Sequence, residues 1–88
     1  MPGFVLLVRP RGDDNPAMRV GFTVTKKIGN AVIRNRMKRR LRALARDVVA
    51  REGVAGADHV LIGRSGGIER KFATLGADLS RALAKVAR

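Results

Sequence analysis

The 88-residue sequence contains no cysteine, no tryptophan and no tyrosine. Without cysteine there are no disulfides, no thiolate metal sites and no cysteine nucleophile. The single histidine, His59, leaves little for zinc or general-base chemistry, so we predict no catalytic residue and no metal site in this chain. No apolar run approaches the roughly 18 residues of a membrane span, and the start lacks a signal-peptide pattern. We therefore predict a cytoplasmic protein with no membrane partner.

Acidic residues are also scarce, with 7 Asp and Glu against 19 Lys and Arg, and the formal net charge is +12. Such an imbalance favours a polyanionic partner. Arginine outnumbers lysine by 14 to 5. Because the planar guanidinium group holds phosphate through paired hydrogen bonds, this bias favours nucleic acid. The length fits one domain, and we predict a single RNA-binding domain over residues 1–88.

Nine cations are concentrated in residues 26–46, which contain no acid, and the rest of the chain carries only +3. Like charges four residues apart on a helix repel each other. A helix in this segment is therefore electrostatically frustrated by itself, and a polyanion would relieve the repulsion. The nine cations are Lys26, Lys27, Arg34, Arg36, Lys38, Arg39, Arg40, Arg42 and Arg46.

Three strands are predicted from alternation and turn residues. Residues 4–9 and 19–25 flank a turn over residues 11–17, which predicts an antiparallel hairpin. A third strand covers residues 58–64, with Val60 and Ile62 on one of its faces.

Two helices are predicted from apolar periodicity. Asn30 is a good N-cap for a helix that begins near Ala31 and ends near Arg51, before Gly53. Residues 65–67 are predicted to be a flexible connection, and a second helix begins at Ile68. The two apolar stripes consist of Ile33, Met37, Leu41, Leu44 and Val48, and of Phe72, Leu75, Leu79, Leu83 and Val86. Two helices on one face of a small sheet bury both stripes, which predicts an α+β fold, a two-layer α/β sandwich.

The outer faces of the first helix are cationic in every direction. DNA is the rival partner, but a recognition helix in a major groove normally follows another helix, whereas this one follows a strand. A membrane-surface helix is disfavoured because the core needs the apolar stripe. Asn35, between two arginines, has three interpretations: its amide reads a base edge, it braces the neighbouring guanidinium groups, or it is simply a solvated or capping amide.

The segment KKIGNAVIRNRMKRRLR, residues 26–42, resembles the signature of the bacterial ribonuclease P protein subunit. The preceding RVGFTVT and the following strand and helix are similar to that family too, so the resemblance covers nearly the whole chain. It implies an accessory subunit of an endoribonuclease whose RNA subunit performs the hydrolysis. The partners implied are the ribonuclease P RNA and the 5′ leader of precursor tRNA, with no protein partner required. Mg²⁺ would be bound by the RNA subunit and not by this chain. A structural RNA-binding protein of ribosomal type is the alternative.

The resemblance also assigns residues and fold. It implies a mixed sheet with a left-handed β-α-β crossover, and a leader cleft between the helix and the exposed sheet face, with Val5, Leu7 and Arg9 facing it. Leu7 stands where relatives often carry an aromatic, so weaker stacking on leader bases is expected. Relatives normally begin with a helix before the first strand, which this sequence lacks, so uncovered core or cleft surface is expected. The predicted RNA-binding residues are Lys26, Lys27, Arg34, Asn35, Arg36, Lys38, Arg39 and Arg42, to which the charge pattern adds Arg40 and Arg46.

Overall fold

The computed structural model describes residues 3–86, which fold into three strands and two main helices on one side of them. Two short 3-10 turns cover Lys26–Ile28 and Ser65–Gly67. In chain order the other elements are β1 (Phe4–Pro10), β2 (Arg19–Thr23), α1 (Ala31–Leu44), a π turn (Ala45–Val49), α2 (Ala50–Glu52), β3 (Ala57–Gly63) and α3 (Phe72–Val86).

The sheet has the order β1-β3-β2, so the predicted hairpin is wrong. β1 pairs antiparallel with β3, and β2 pairs parallel with the other edge of β3. The cause lies in β3, which carries apolar side chains on both faces and takes the centre of the sheet. β1 and β2 run in opposite directions, as predicted, but β3 separates them. The sheet is mixed, and the connection from β2 through α1 to β3 joins parallel strands.

The first helix begins where its local signals place it. The Asn30 side chain accepts a hydrogen bond from the Ile33 backbone N–H at 3.0 Å, which caps α1. Gly29 before it has φ +154°, a conformation that disfavours other residues. α1, the π turn and α2 are continuous, and we call residues 31–52 the basic helix. Its predicted end near Arg51 is confirmed, whereas the π turn has no counterpart in the periodicity analysis.

Both main helices pack on the same face of the sheet and bury one core, which confirms the predicted α+β sandwich. The core combines Leu41 and Leu44 of α1 with Leu79 of α3 and Leu61 of β3. Two members of the predicted second stripe are wrong: Phe72 is 45% exposed and Val86 is 46% exposed. They are the first and last residues of α3.

The connection between β3 and α3 is ordered, contrary to the flexible linker predicted. A Cβ on Gly67 would lie 2.5 Å from the carbonyl oxygen of Gly3, so a side chain is excluded where the two backbones meet. α3 begins at Phe72 rather than at Ile68. The carbonyl groups of Gly67, Ile68 and Arg70 instead accept hydrogen bonds from a side chain of the basic helix, as described below.

His59 is completely buried and joins two elements. Its Nε2 accepts a hydrogen bond from the Val54 N–H at 2.9 Å, and its Nδ1 lies 3.2 Å from the carbonyl oxygen of Arg19. The ring thereby connects the segment after the basic helix to β2. Within residues 3–86, no helix is long and apolar enough to cross a bilayer.

Candidate nucleic-acid interface

The predicted RNA-binding residues lie together on one side of the molecule, on the basic helix and the turn before it. Lys26 and Lys27 occupy the 3-10 turn that leads to the α1 N-cap, and Arg46 lies in the π turn. Three members of the set are half-buried, namely Arg34, Lys38 and Arg40. The exposed members are Lys26, Lys27, Asn35, Arg36, Arg39, Arg42 and Arg46.

The cations of this surface have no acidic partners within residues 3–86. The ion pairs there involve other arginines: Arg11 with Asp13 and Asp58, Arg51 with Asp47 and Glu52, and Arg70 and Arg81 with Asp78. A charge without a partner keeps its full attraction for an external anion. The structure therefore retains the frustration that the sequence predicts, and a polyphosphate chain is the kind of ligand that relieves it.

Arg40 differs from its neighbours because its guanidinium group is used inside the protein. Nη1 donates to the carbonyl oxygens of Gly67 at 2.8 Å and Ile68 at 3.1 Å, and Nη2 donates to that of Arg70. These contacts attach the basic helix to the connection between β3 and α3. We therefore assign Arg40 a structural role. An RNA-binding role for Arg40 stays a prediction, and these internal contacts argue against it.

Arg34 and Arg42 also have distinctive local environments within the cationic surface. The Nε atom of Arg34 is buried without a hydrogen-bond partner in the described part of the chain, an unsatisfied donor in the middle of the cationic surface. The Arg42 guanidinium lies over the Phe22 ring, 6.0 Å from its centroid, which directs it towards β2. The basic surface thus continues from the helix towards the edge of the sheet.

Asn35 is exposed, and its side chain makes no hydrogen bond within the described residues. The interpretation in which it braces the adjacent arginines therefore has no support in this structure. Its amide retains two donors and an acceptor for a ligand.

The second surface is the open face of the sheet, opposite the helices. The register places Val5 beside Ile62, Leu7 beside Val60 and Arg9 beside Asp58. Leu7 is 52% exposed, and a depression of about 470 Å³ adjoins it. The three predicted cleft residues do share one face, as alternation requires.

The basic helix does not form a wall of this open face, because its apolar stripe packs on the opposite face with Phe22 and Leu61. The cleft expected between the helix and the exposed sheet face is therefore not formed by residues 3–86. Sequence analysis also missed Arg64. Together with Lys27, Thr25 and Ser65, this exposed arginine lines a depression of about 310 Å³ where the open face meets the turn before α1. Its position directly after β3 is the signal that identifies it.

No group of three or more histidine, aspartate or glutamate side chains in residues 3–86 is arranged to hold a metal ion. The candidate site consists of cations, the exposed amide of Asn35 and an apolar sheet face. This combination on a small α+β sandwich defines a basic domain suited to binding a polyanion.

Comparisons with known proteins all indicate one family. A family model described as Ribonuclease P matches residues 1–87. The chain is 56% identical over 82 residues to the ribonuclease P protein component of Erythrobacter litoralis, covering 93% of this chain and 66% of that protein. It is 56% identical over 84 residues to that of Gluconacetobacter diazotrophicus, covering 96% and 72%. This chain belongs to the ribonuclease P protein family.

Solved structures agree with this assignment. The ribonuclease P protein of Thermotoga maritima superposes with a TM-score of 0.76 at 31% identity, over 97% of this chain and 78% of that one. The Staphylococcus aureus protein gives a TM-score of 0.74 at 26% identity, over 100% and 77%. The chain spans about two thirds of the length of the Erythrobacter relative.

Proposed function

We propose that this protein is the protein subunit of a ribonuclease P ribonucleoprotein and supports removal of the 5′ leader from precursor tRNA. The observation that carries the proposal is the cationic surface formed by Lys26, Lys27 and the cations between Arg34 and Arg46, none of which pairs with a carboxylate in residues 3–86. Family membership identifies the polyanion that such a surface would bind as the ribonuclease P RNA.

In this proposal the exposed cations of the basic helix bind phosphates of the RNA subunit. The unsatisfied Nε donor of Arg34 would gain an acceptor there. Counterions released by each contact contribute to affinity and make binding depend on salt concentration. The protein lowers the repulsion between ribozyme and substrate, and hydrolysis belongs to the RNA. Mg²⁺ would be held by the RNA, and no step is assigned to it on this chain.

The 5′ leader would lie on the open face of the sheet. The exposed Leu7 and the half-buried Val5 supply apolar surface for bases, and Arg9 supplies a cation at the same face. The Phe4 side chain is completely buried, so it is not available for stacking. We expect the leader contact to be weaker than the contact with the RNA subunit, and we place the complex in the cytoplasm.

The test is reconstitution with the ribonuclease P RNA of Erythrobacter litoralis. Cleavage of a precursor tRNA is measured at a Mg²⁺ concentration too low for the RNA alone. We expect added protein to raise the cleavage rate, and to raise affinity for precursor tRNA above that for mature tRNA. A protein that binds RNA without either effect would instead act as a structural RNA-binding protein of ribosomal type.

A matched pair of double variants separates specific binding from general charge. Arg36→Ala with Arg39→Ala removes two exposed cations from the basic helix, and we expect stimulation to be lost. Lys71→Ala with Lys85→Ala removes two exposed cations near and on α3, and we expect stimulation to be kept. Equal losses from both double variants would contradict a specific role for the basic helix.

A further inference from the structure

We propose that Arg11 is a positioning residue for the open face of the sheet. By holding the Asp58 carboxylate, it leaves Arg9 and Arg19 free to bind phosphates of the leader. The inference rests on the proposed function, in which the leader lies on this face, and it adds Arg19 to the cations that would contact the leader.

Asp58 lies on the central strand between two arginines. The register of the sheet places it beside Arg9 of β1 and beside Arg19 of β2. Residues paired in this way project from the same face of a sheet, and opposite charges in such positions attract each other. The strand pairing alone therefore predicts that Asp58 binds Arg9, Arg19 or both.

The structure shows a different partner for this carboxylate. Oδ1 of Asp58 accepts a hydrogen bond from Nη1 of Arg11 at 3.0 Å. Arg9 and Arg19 are exposed, and neither forms an ion pair within residues 3–86. Because an arginine of the loop after β1 neutralises the carboxylate, both strand arginines keep their charge for an external anion.

Further contacts hold Arg11 in this position. Its Nε donates to Asp13 at 3.1 Å, and its Nη2 donates to the carbonyl oxygens of Asn15 and Ala17. The Arg11 side chain is only 8% exposed. An ion pair between Asp58 and an exposed strand arginine would lack these contacts and would be weaker. Arg11 is therefore the preferred partner of Asp58 before any ligand binds.

Phosphates of an extended RNA strand suit the two free arginines. Neighbouring strands of a sheet are about 4.8 Å apart, so Arg9 and Arg19 start roughly 10 Å from each other on either side of β3. That separation suits two phosphates of one strand better than a single small anion. Asp58 itself lines the depression of about 470 Å³ beside Leu7. Without Arg11, its carboxylate would repel the phosphates and compete for both arginines.

The test uses the protein reconstituted with the ribonuclease P RNA of Erythrobacter litoralis and measures the ratio of its affinities for precursor and mature tRNA. Arg11→Met removes the guanidinium group and keeps the apolar stem. We expect it to lower the ratio by roughly fivefold, because Asp58 then repels the leader and pairs with the strand arginines. Adding Asp58→Asn to Arg11→Met should return the ratio to within about twofold of the wild-type value. A ratio that stays low in the double variant would overturn the inference, because Arg11 would then act only by organising its loop.

Arg19→Ala tests the same face without removing any contact of Arg11. We expect it to lower the ratio by roughly threefold, whereas Lys85→Ala, which removes an exposed cation of α3, should leave the ratio unchanged. Equal ratios for Arg19→Ala and the wild-type protein would also overturn the inference. If Arg9→Ala lowers the ratio while Arg11→Met and Arg19→Ala do not, this inference fails and the proposed function stands. If the wild-type protein shows no preference for precursor tRNA, the leader contact of the proposed function fails with it.

Discussion

Helices α1 and α3 lie on the same face of the sheet, but their arginines differ in whether they pair with a carboxylate of the protein. The Asp78 carboxylate of α3 is 3% exposed and accepts hydrogen bonds from Arg70 at 2.8 Å and Arg81 at 2.5 Å. The basic helix has no such carboxylate until Asp47, beyond its last predicted RNA-binding residue. One helix neutralises cations within the protein, and the other displays them.

The difference between the two helices separates what stabilises the fold from what binds a ligand. On α3, the charges contribute to folding, and the hydrogen bond from Arg70 holds the pKa of Asp78 below its usual range, with a smaller contribution from Arg81 and against the effect of burial. On the basic helix, the apolar stripe supplies the stability and the cations oppose it through mutual repulsion. Two cations of the basic helix are exceptions: Arg40 donates to backbone carbonyl groups, and Arg51 pairs with Asp47 and Glu52. Four substitutions test this division, in order of their expected effect on the free energy of unfolding.

Leu41→Ala should have the largest effect, because the apolar stripe carries the stability of the basic helix. Leu41 is 2% exposed in the core between both helices and the sheet. Truncation removes buried methyl groups and leaves a cavity, which costs about 2 to 5 kcal/mol of unfolding free energy. Urea denaturation measures the loss, with Val32→Ser as an exposed control on the same helix. A loss below 1 kcal/mol would show that the stripe is not what holds this helix in place.

Asp78→Ala should come next and destabilise by about 2 to 3 kcal/mol at neutral pH, because two charged hydrogen bonds disappear from a buried position. The pH dependence sharpens this prediction. Because folding lowers the pKa of Asp78, its ionised form favours the folded state. This contribution is complete above the unfolded-state value of about 3.9 and is lost as the pH falls through the lower folded-state value.

Thermal denaturation followed from pH 7 to pH 2 checks the sign of this effect. The wild-type protein should lose the extra stability below about pH 4, and Asp78→Ala should lose less over the same range. If both proteins show the same acid dependence, the carboxylate of α3 does not contribute in the manner argued.

Arg40→Met should cost roughly 1 to 2 kcal/mol, since three backbone carbonyl groups lose a shared charged donor while most of the apolar stem is kept. Arg40→Lys should recover little, because one ammonium group does not reproduce a planar fork that reaches three carbonyls. The affinity for RNA should keep its salt slope. A shallower slope with unchanged stability would return Arg40 to the RNA-binding surface.

Arg40 also shows where prediction from sequence ends. The start and end of the basic helix follow from local signals, Asn30 and Gly53, and the structure confirms them. The carbonyl groups that Arg40 binds come from residues at least 27 positions away. Periodicity along one helix contains no information on such contacts, so it assigns every cation from Arg34 to Arg46 to RNA binding.

The strand order of the sheet is also not predicted from the sequence, because it too depends on contacts between distant residues. Alternation predicts correctly that Val20 and Phe22 share a face, and that Val5, Leu7 and Arg9 share another. Alternation does not show which strand lies beside which, because that depends on the position of β3 in the sheet. A turn rich in glycine, aspartate and proline favours a hairpin locally. In the structure, Arg11 instead organises this loop through Asp13, Asp58 and the carbonyl groups of Asn15 and Ala17.

Arg39→Ala should have the smallest effect on stability and a clear effect on binding. Arg39 is exposed and makes no ion pair in residues 3–86, so its removal should change the free energy of unfolding by less than about 0.5 kcal/mol. Removing one phosphate contact should weaken affinity for ribonuclease P RNA and lower the slope of log affinity against log salt by about one. Arg81→Ala on α3 is the matched comparison, because Arg81 is exposed but bound to Asp78. It should reduce stability and leave the slope unchanged. If the two variants exchanged these outcomes, the assignment of free cations to binding and paired cations to folding would be reversed.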